Sequence, residues 1–209
     1  MIDAFLVERE PWIRRHLDRH AVTRERLAER PPLAAGREIL YRGISHRVFV
    51  RAAPAGIRTT RVSRVGGDDG DELMVERGPR DRRAIAAVLE GWLRDRARAD
   101  IALALERHGP EIGVDPDRVT IRDTTSRWGS CSRSGALSFS WRLVLAPPPA
   151  LESVVIHELC HLRVFGHGPR FQRLLKRHAP EHARWRRWLR QHAAELHAML
   201  DDPCPSEAD

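Results

Sequence analysis

The sequence predicts an α+β protein in which a β-rich N-terminal lobe precedes a helical region built around a His-Glu-x-x-His motif. Three observations carry that reading. Short apolar runs between residues 39 and 75 are punctuated by Gly and Pro turns, which is a strand pattern. From residue 81 onward the apolar spacing becomes helical. Within that region His157-Glu158-Leu159-Cys160-His161 is flanked by Val154, Val155, Ile156 and Leu162, the apolar surface of a packed helix.

The elements follow in chain order. Residues 3–30 are rich in Glu, Arg and Leu and read as one or two helices ended by Pro31-Pro32. Strands are expected at Ile39-Leu40-Tyr41, Val48-Phe49-Val50, Thr59-Thr60-Arg61-Val62 and Leu73-Met74-Val75. Gly43, Pro54-Ala55-Gly56 and the Gly66–Gly70 run supply the turns. A long helix spans Asp81 to about His108, with Ile85, Val88, Leu89, Trp92, Leu93, Ile101 and Leu105 as its stripe and Gly109-Pro110 as its stop. Val119-Thr120-Ile121 and Ala136 to Leu145 read as a hairpin around the Trp128-Gly129 turn, the second of them a candidate edge strand. Pro147-Pro148-Pro149 stops whatever precedes the motif helix, a further helix starts at Pro169, and a last one follows Pro180. The expected organisation is a helix plus β-rich lobe at 1–80, a catalytic domain at 81–201 and a flexible tail at 202–209.

The motif carries the chemistry. Residues four apart on a helix share a face, so His157 and His161 can grip one metal ion, while Glu158, about 100° around, can reach a water without being a ligand. Zinc with three protein ligands and an adjacent carboxylate is a water-activating site. His167 is the third candidate ligand. On a continuous helix it would point about 240° away from His161, but Gly166 and Gly168-Pro169 break the helix and let the chain turn back. Ligands His157, His161 and His167 with Glu158 as general base make a complete open hydrolytic site for Zn2+. His178 and His182 are competitors downstream; His178 follows Phe171, Leu174 and Leu175 at helical spacing, which suits a packing face.

Composition narrows the class. A net charge of +7 invites a nucleic-acid partner, but every basic residue except Lys176 is Arg, as a GC-rich coding bias would produce. The densest run, Arg184 to Arg190 with Trp185 and Trp188, reads as an amphipathic helix packing Trp and solvating Arg. Nucleic acid therefore ranks below a peptide as partner. No stretch approaches the ~20 apolar residues of a membrane span, and the N-terminus offers no secretory apolar core. Cys131, Cys160 and Cys204 form no disulfide or zinc-knuckle spacing, which points to a reducing, cytoplasmic setting. Cys160 falls towards the apolar side of the motif helix, a buried inert thiol; Cys131 is either turn packing or a contact to the metal region.

The block Thr125-Ser126-Arg127-Trp128-Gly129-Ser130-Cys131-Ser132, with Gly135, Trp141-Arg142-Leu143, Ala146-Pro147, His157 to His167 and Phe171, resembles the YgjP-like metallopeptidases, relatives of the SprT-like and WLM zinc proteases. Phe5-Leu6 with Trp12-Ile13, and Trp92 to His108, are similar to the helices before the family's β-rich stretch and behind its site. The resemblance implies a zincin-like fold, a peptide or protein substrate and zinc. It offers Arg127, Arg142 and Ser130 as oxyanion stabilisers, and its DNA-linked relatives make a DNA-associated SprT-like protease one alternative. Ser140 stands where the family often has Asn, and Ser153 where it often has Tyr. Members also commonly begin with an extra β-rich stretch ahead of the Phe-Leu…Trp-Ile helix.

Two other classes are open. A nucleotide pyrophosphatase would use the same metal-activated water with Arg as phosphate clamp, although the Gly66–Gly70 run is acidic and reads as a turn rather than a phosphate loop. A nucleic-acid module with structural zinc would want four ligands. Partners holding the His rings are expected among Glu152, Asp123 and Glu195.

Overall fold

The computed structural model describes residues 30–201 except 68 and 69. The expected helices before residue 30 and the tail after residue 201 lie outside the described residues. The first sheet holds β1 (Glu38–Tyr41), β2 (Ile44–Ala52), β3 (Arg61–Gly67) and β4 (Gly70–Arg77) in the order β1-β2-β4-β3. β2 and β4 run parallel, the other pairs antiparallel. The antiparallel β3–β4 pairing extends to Gly67–Gly70, within the run whose composition predicts a turn. Thr59 and Thr60 fall just outside β3; the Thr60 hydroxyl instead bonds Asp81 at 2.5 Å and accepts from the Gly78 N–H at 3.1 Å.

α1 (Ile85–Ile112) backs both sheets. Its apolar stripe is as expected, with Leu89, Leu93, Ala97 and Ile101 buried. Its end is not. Gly109-Pro110 lies inside the helix, which stops at Gly113 with φ 74°, its N–H reaching the carbonyls of Gly109 and Pro110. A proline in a last turn removes one backbone donor; burial of Ile112 and the Arg163 guanidinium on the Ile112 carbonyl offset that loss.

The second sheet also differs from expectation. β5 (Arg118–Arg122) pairs with β7 (Ala136–Ser140) in parallel, not as a hairpin. The antiparallel hairpin is β6 (Gly129–Cys131) with β7, and the order is β5-β7-β6. The expected edge strand is therefore central, and β6 is an edge. Short strands of similar composition do not reveal their partners, and the loop from 123 to 128 is long enough to let β6 fold back. After Ser140 the chain enters a 3-10 turn, Trp141–Leu145, whose apolar residues are buried.

α2 (Pro148–Arg163) carries the motif. Pro148 and Pro149 occupy its first turn, where a missing N–H costs nothing, so the proline run starts this helix as well as separating it from what precedes. α3 (Pro169–His178) and α4 (His182–His197) complete the fold. In α4, Leu189 and Leu196 are buried, Trp185 and Trp188 pack partly on the core, and Arg184, Arg186, Arg187 and Arg190 are exposed, as the amphipathic reading requires. One buried apolar cluster joins both sheets and all four helices. No described helix is long and apolar enough to cross a membrane.

The first sheet reaches the motif helix through one turn. Arg42 and Gly43, at φ 52° and 76°, form a tight two-residue hairpin turn between β1 and β2. Their N–H groups donate to Val144 and Leu145 at 2.8 and 3.0 Å, and Arg42 grips Asp100 of α1 through two nitrogens. A side chain on Gly43 would lie 2.8 Å from Pro147, the residue before α2. Gly43→Val combines that overlap with a left-handed backbone that β-branched residues resist, so it should lower unfolding free energy by about 2 kcal/mol or more in a denaturant titration. A variant as stable as the parent would show that the turn does not hold the start of α2.

Candidate metal centre

His157 and His161 sit one turn apart on α2 with their rings on the same face. Their Nε2 atoms are 3.2 Å apart, and His167 Nε2 lies 3.3 Å from that of His157. All three donor atoms fall within 4.8 Å of one another, an arrangement that could hold a metal ion. Four ligands at ~2.05 Å around a tetrahedral zinc are about 3.3 Å apart, so the two short separations fit that ion.

The backbone that delivers His167 follows the expected break with one change of detail. α2 ends at Arg163, and Val164 is already extended at φ −139°. Gly166 at φ 85° turns the chain within the connecting loop rather than at the helix end, and Gly168-Pro169 starts α3. Phe171, fully buried in the first turn of α3, touches all three imidazoles, with ring centroids 5.1, 4.4 and 5.0 Å from those of His157, His161 and His167. Burying a Phe contributes on the order of 2–3 kcal/mol, and here the same ring sets the plane of His161 by stacking on it.

The electrostatics favour the ligand form. Burial first, then His161, His182, His167 and Arg186, hold the pKa of His157 down at about 3. Burial also lowers that of His161. Neutral imidazoles keep a lone pair for a metal. His161 Nδ1 faces the Val164 carbonyl at 3.4 Å. His157 Nδ1 is buried without a hydrogen-bond partner among the described residues, so its ring is oriented by packing between Phe171 and His182.

Glu158 is 6% exposed, and burial raises its pKa to about 7 against the opposing charge of Arg127. It lies under the edge strand: a Cβ on Gly129 would fall 2.8 Å from Glu158 Cγ and Oε1 and 3.0 Å from Val154. The glycine of the Arg-Trp-Gly-Ser block is thus a point of close approach between β6 and α2. Trp128 beside it stacks on His197 at 4.9 Å.

A cavity of about 570 Å³ opens over these groups, lined among others by Arg127, Trp128, His157, Glu158, His167 and His182. His182 is the residue whose role the spacing did not show. Its ring stacks on His157 at 5.1 Å and its Nδ1 is 3.0 Å from the Ser153 hydroxyl, so it buttresses the site without joining the three converging nitrogens. Ser153, one of the departures from the family pattern, was the available signal. His178 is outside the cluster, half-buried on α3.

Several expectations about surrounding residues are corrected. Glu152 pairs with Arg107 and His108, Asp123 with Arg142 and Arg94, and Glu195 with Arg30, so none of the three holds a site imidazole. Arg142 is committed to Asp123, the His197 carbonyl and the face of Trp141, away from the cavity. Arg127 lines the cavity and Ser130 does not. Cys160 is buried with its thiol pKa pushed up to about 11, inert as read. Cys131 is the last residue of β6 rather than part of a turn; it bonds the Ser132 carbonyl at 3.4 Å, packs partly on the core, feels the charge of Glu158 and is not among the converging donors.

The profile of the family described as "YgjP-like, metallopeptidase domain" matches residues 1–192. The chain belongs to this family. Comparison with the curated proteins and with the solved structures gives no match. The YgjP-like match spans the Arg-Trp-Gly-Ser block, the motif helix and α3, the segments that meet at the cavity.

The contact between Gly129 and Glu158 can be tested by stability alone. Gly129→Ala should cost about 1–3 kcal/mol through overpacking. In a Glu158→Ala background the same change should cost clearly less, because the atoms it strikes are gone. Equal costs in both backgrounds would mean that the methyl is accommodated elsewhere.

Proposed function

We infer that the chain is a zincin-like, zinc-dependent peptidase in which His157, His161 and His167 hold the metal and Glu158 is the general base, within a catalytic region at 81–201 behind an N-terminal lobe at 1–80. Three converging imidazole donors, with His157 Nε2 3.2 and 3.3 Å from those of His161 and His167 and all within 4.8 Å, beside a buried carboxylate, carry the reading. Bound zinc supplies Lewis acidity, lowering the pKa of a water to about 7 and polarising a carbonyl.

The chain's own residues do the rest. The Glu158 carboxylate accepts the proton of the attacking water and returns it to the departing amine nitrogen. Phe171 and His182 keep the His157 ring from rotating. Arg127, at the cavity rim, opposes neutralisation of Glu158 and can face a developing negative charge on the substrate. β6 is an edge strand packed against α2, so an extended peptide can add to it and cross the cavity beside Glu158.

Elemental analysis and peptide hydrolysis together test this. The protein should hold one zinc per chain, and His157→Ala or His161→Ala should lose most of it. Glu158→Gln should keep its zinc while hydrolysis falls by about two orders of magnitude. Unchanged zinc in either His variant, or loss of zinc in Glu158→Gln, would overturn the assignment of ligands and base.

Gly166→Val should weaken zinc binding much as His167→Ala does, since β-branched residues resist its φ of 85°. The double variant should be no worse than either single one, because both changes remove the same ligand. Competition with a chelator would read this, and full additivity would place the third ligand elsewhere.

A further inference from the structure

The outer face of the second sheet carries a second concave surface, about 470 Å³ in volume. Strand register explains its chemistry. Thr120 of β5, Ser138 of β7 and Ser130 of β6 are direct neighbours across the sheet, so three hydroxyls lie abreast on one face. Alternation puts Arg118 and Arg122 on that face, two residues either side of Thr120, while Leu137 and Phe139 point the other way into the core. Arg127 closes the row and also lines the catalytic cavity, so the two depressions share that residue.

Several other arginines of this chain are neutralised by an acidic side chain, and among the described residues these three are not. Arg42, Arg51, Arg64 and Arg94 are each held by a carboxylate. Among the described residues Arg118, Arg122 and Arg127 are in no ion pair, and no carboxylate or aromatic ring lines the groove. An occupant that brings negative charge suits this lining; the Ser130 and Ser138 hydroxyls can donate to it, while the Thr120 hydroxyl donates to the Leu137 carbonyl at 3.3 Å. Single-stranded nucleic acid also draws on stacking against aromatic rings, which this lining does not supply. Carboxylates need only guanidinium forks and hydroxyl donors.

We propose that the groove of Arg118, Arg122 and Arg127 over the Thr120–Ser138–Ser130 row binds an acidic segment of the polypeptide substrate and selects peptides with Asp or Glu beside the bond to be cut. The selection of cleavage sites rests on the peptidase reading; the binding of an acidic peptide does not.

Fluorescence anisotropy on the full chain tests the binding without requiring hydrolysis. The probes are a labelled glutamate-rich peptide, the same peptide with glutamine at every glutamate, and a single-stranded oligonucleotide of matched length. The acidic peptide should bind at least about tenfold more tightly than the neutral one, and the preference should shrink as salt is raised. Arg118→Ser with Arg122→Ser should weaken acidic-peptide binding about tenfold. Arg170→Ser with Arg173→Ser, an equal loss of charge on α3, should leave it unchanged, which separates a local site from the net charge of +7. Thermal melts of both variants check that they fold. Equal binding of the two peptides, equal effects of the two double variants, or an oligonucleotide that binds more tightly than the acidic peptide and depends on Arg118 and Arg122, would overturn the proposal. If neutral peptides are cut but acidic ones gain nothing, the groove fails while the hydrolase stands. If the acidic peptide binds through these arginines and nothing is cut, the reverse holds.

Discussion

Three imidazoles can share one point only if each is neutral, correctly rotated and prevented from swinging into solvent. That requirement organises the rest of the structure. Neutrality comes from burial, which holds the pKa of His157 well below its ordinary value. Rotation comes from Phe171, which touches all three rings, and from His182, which stacks on His157 from another side and is anchored by Ser153. The third imidazole depends on a chain reversal that a glycine at φ 85° permits. The same burial raises the pKa of Glu158, so one low-dielectric setting acts on both the imidazoles and the carboxyl proposed as the base.

The remainder of the fold positions α2. Its start rests on Pro147 and on the Arg42-Gly43 turn of the first sheet. Its far end is tied to α1, where Arg163 donates to the Ile112 carbonyl. β6 presses on its middle at Gly129, where a Cβ would overlap the side chains of Glu158 and Val154. The N-terminal sheet is therefore more than an appendage: through one turn it fixes where the motif helix begins. At the C-terminal end, Arg37, buried before β1, donates to the carbonyls of Met199 and Asp201 and ties the first sheet to the segment after α4.

What the sequence made legible were features that depend on local periodicity or on a single residue's conformational freedom. The stripe of α1, the His pair on α2, the reversal before Pro169, the burial of Cys160 and the Trp-in, Arg-out face of α4 are of that kind. Long-range pairing was not legible. β5 and β7 are joined in parallel across a loop that contains β6, and no periodicity distinguishes that from a simple hairpin. Pro110 misled because a proline near a helix end costs little when Gly113 and Arg163 satisfy the last carbonyls. The partners of the His rings were sought among carboxylates, the common choice, whereas an aromatic ring and a second histidine hold them. Neither choice leaves a spacing signature, since Phe171 and His182 lie on separate helices.

Zinc K-edge absorption on the metal-loaded protein tests the central claim most directly. The account predicts imidazole nitrogens from three residues at about 2.0–2.1 Å, one light oxygen neighbour and no sulfur. A sulfur neighbour at about 2.3 Å, which would bring in a cysteine, or a fourth imidazole, which would bring in His182 and close the site, would contradict it.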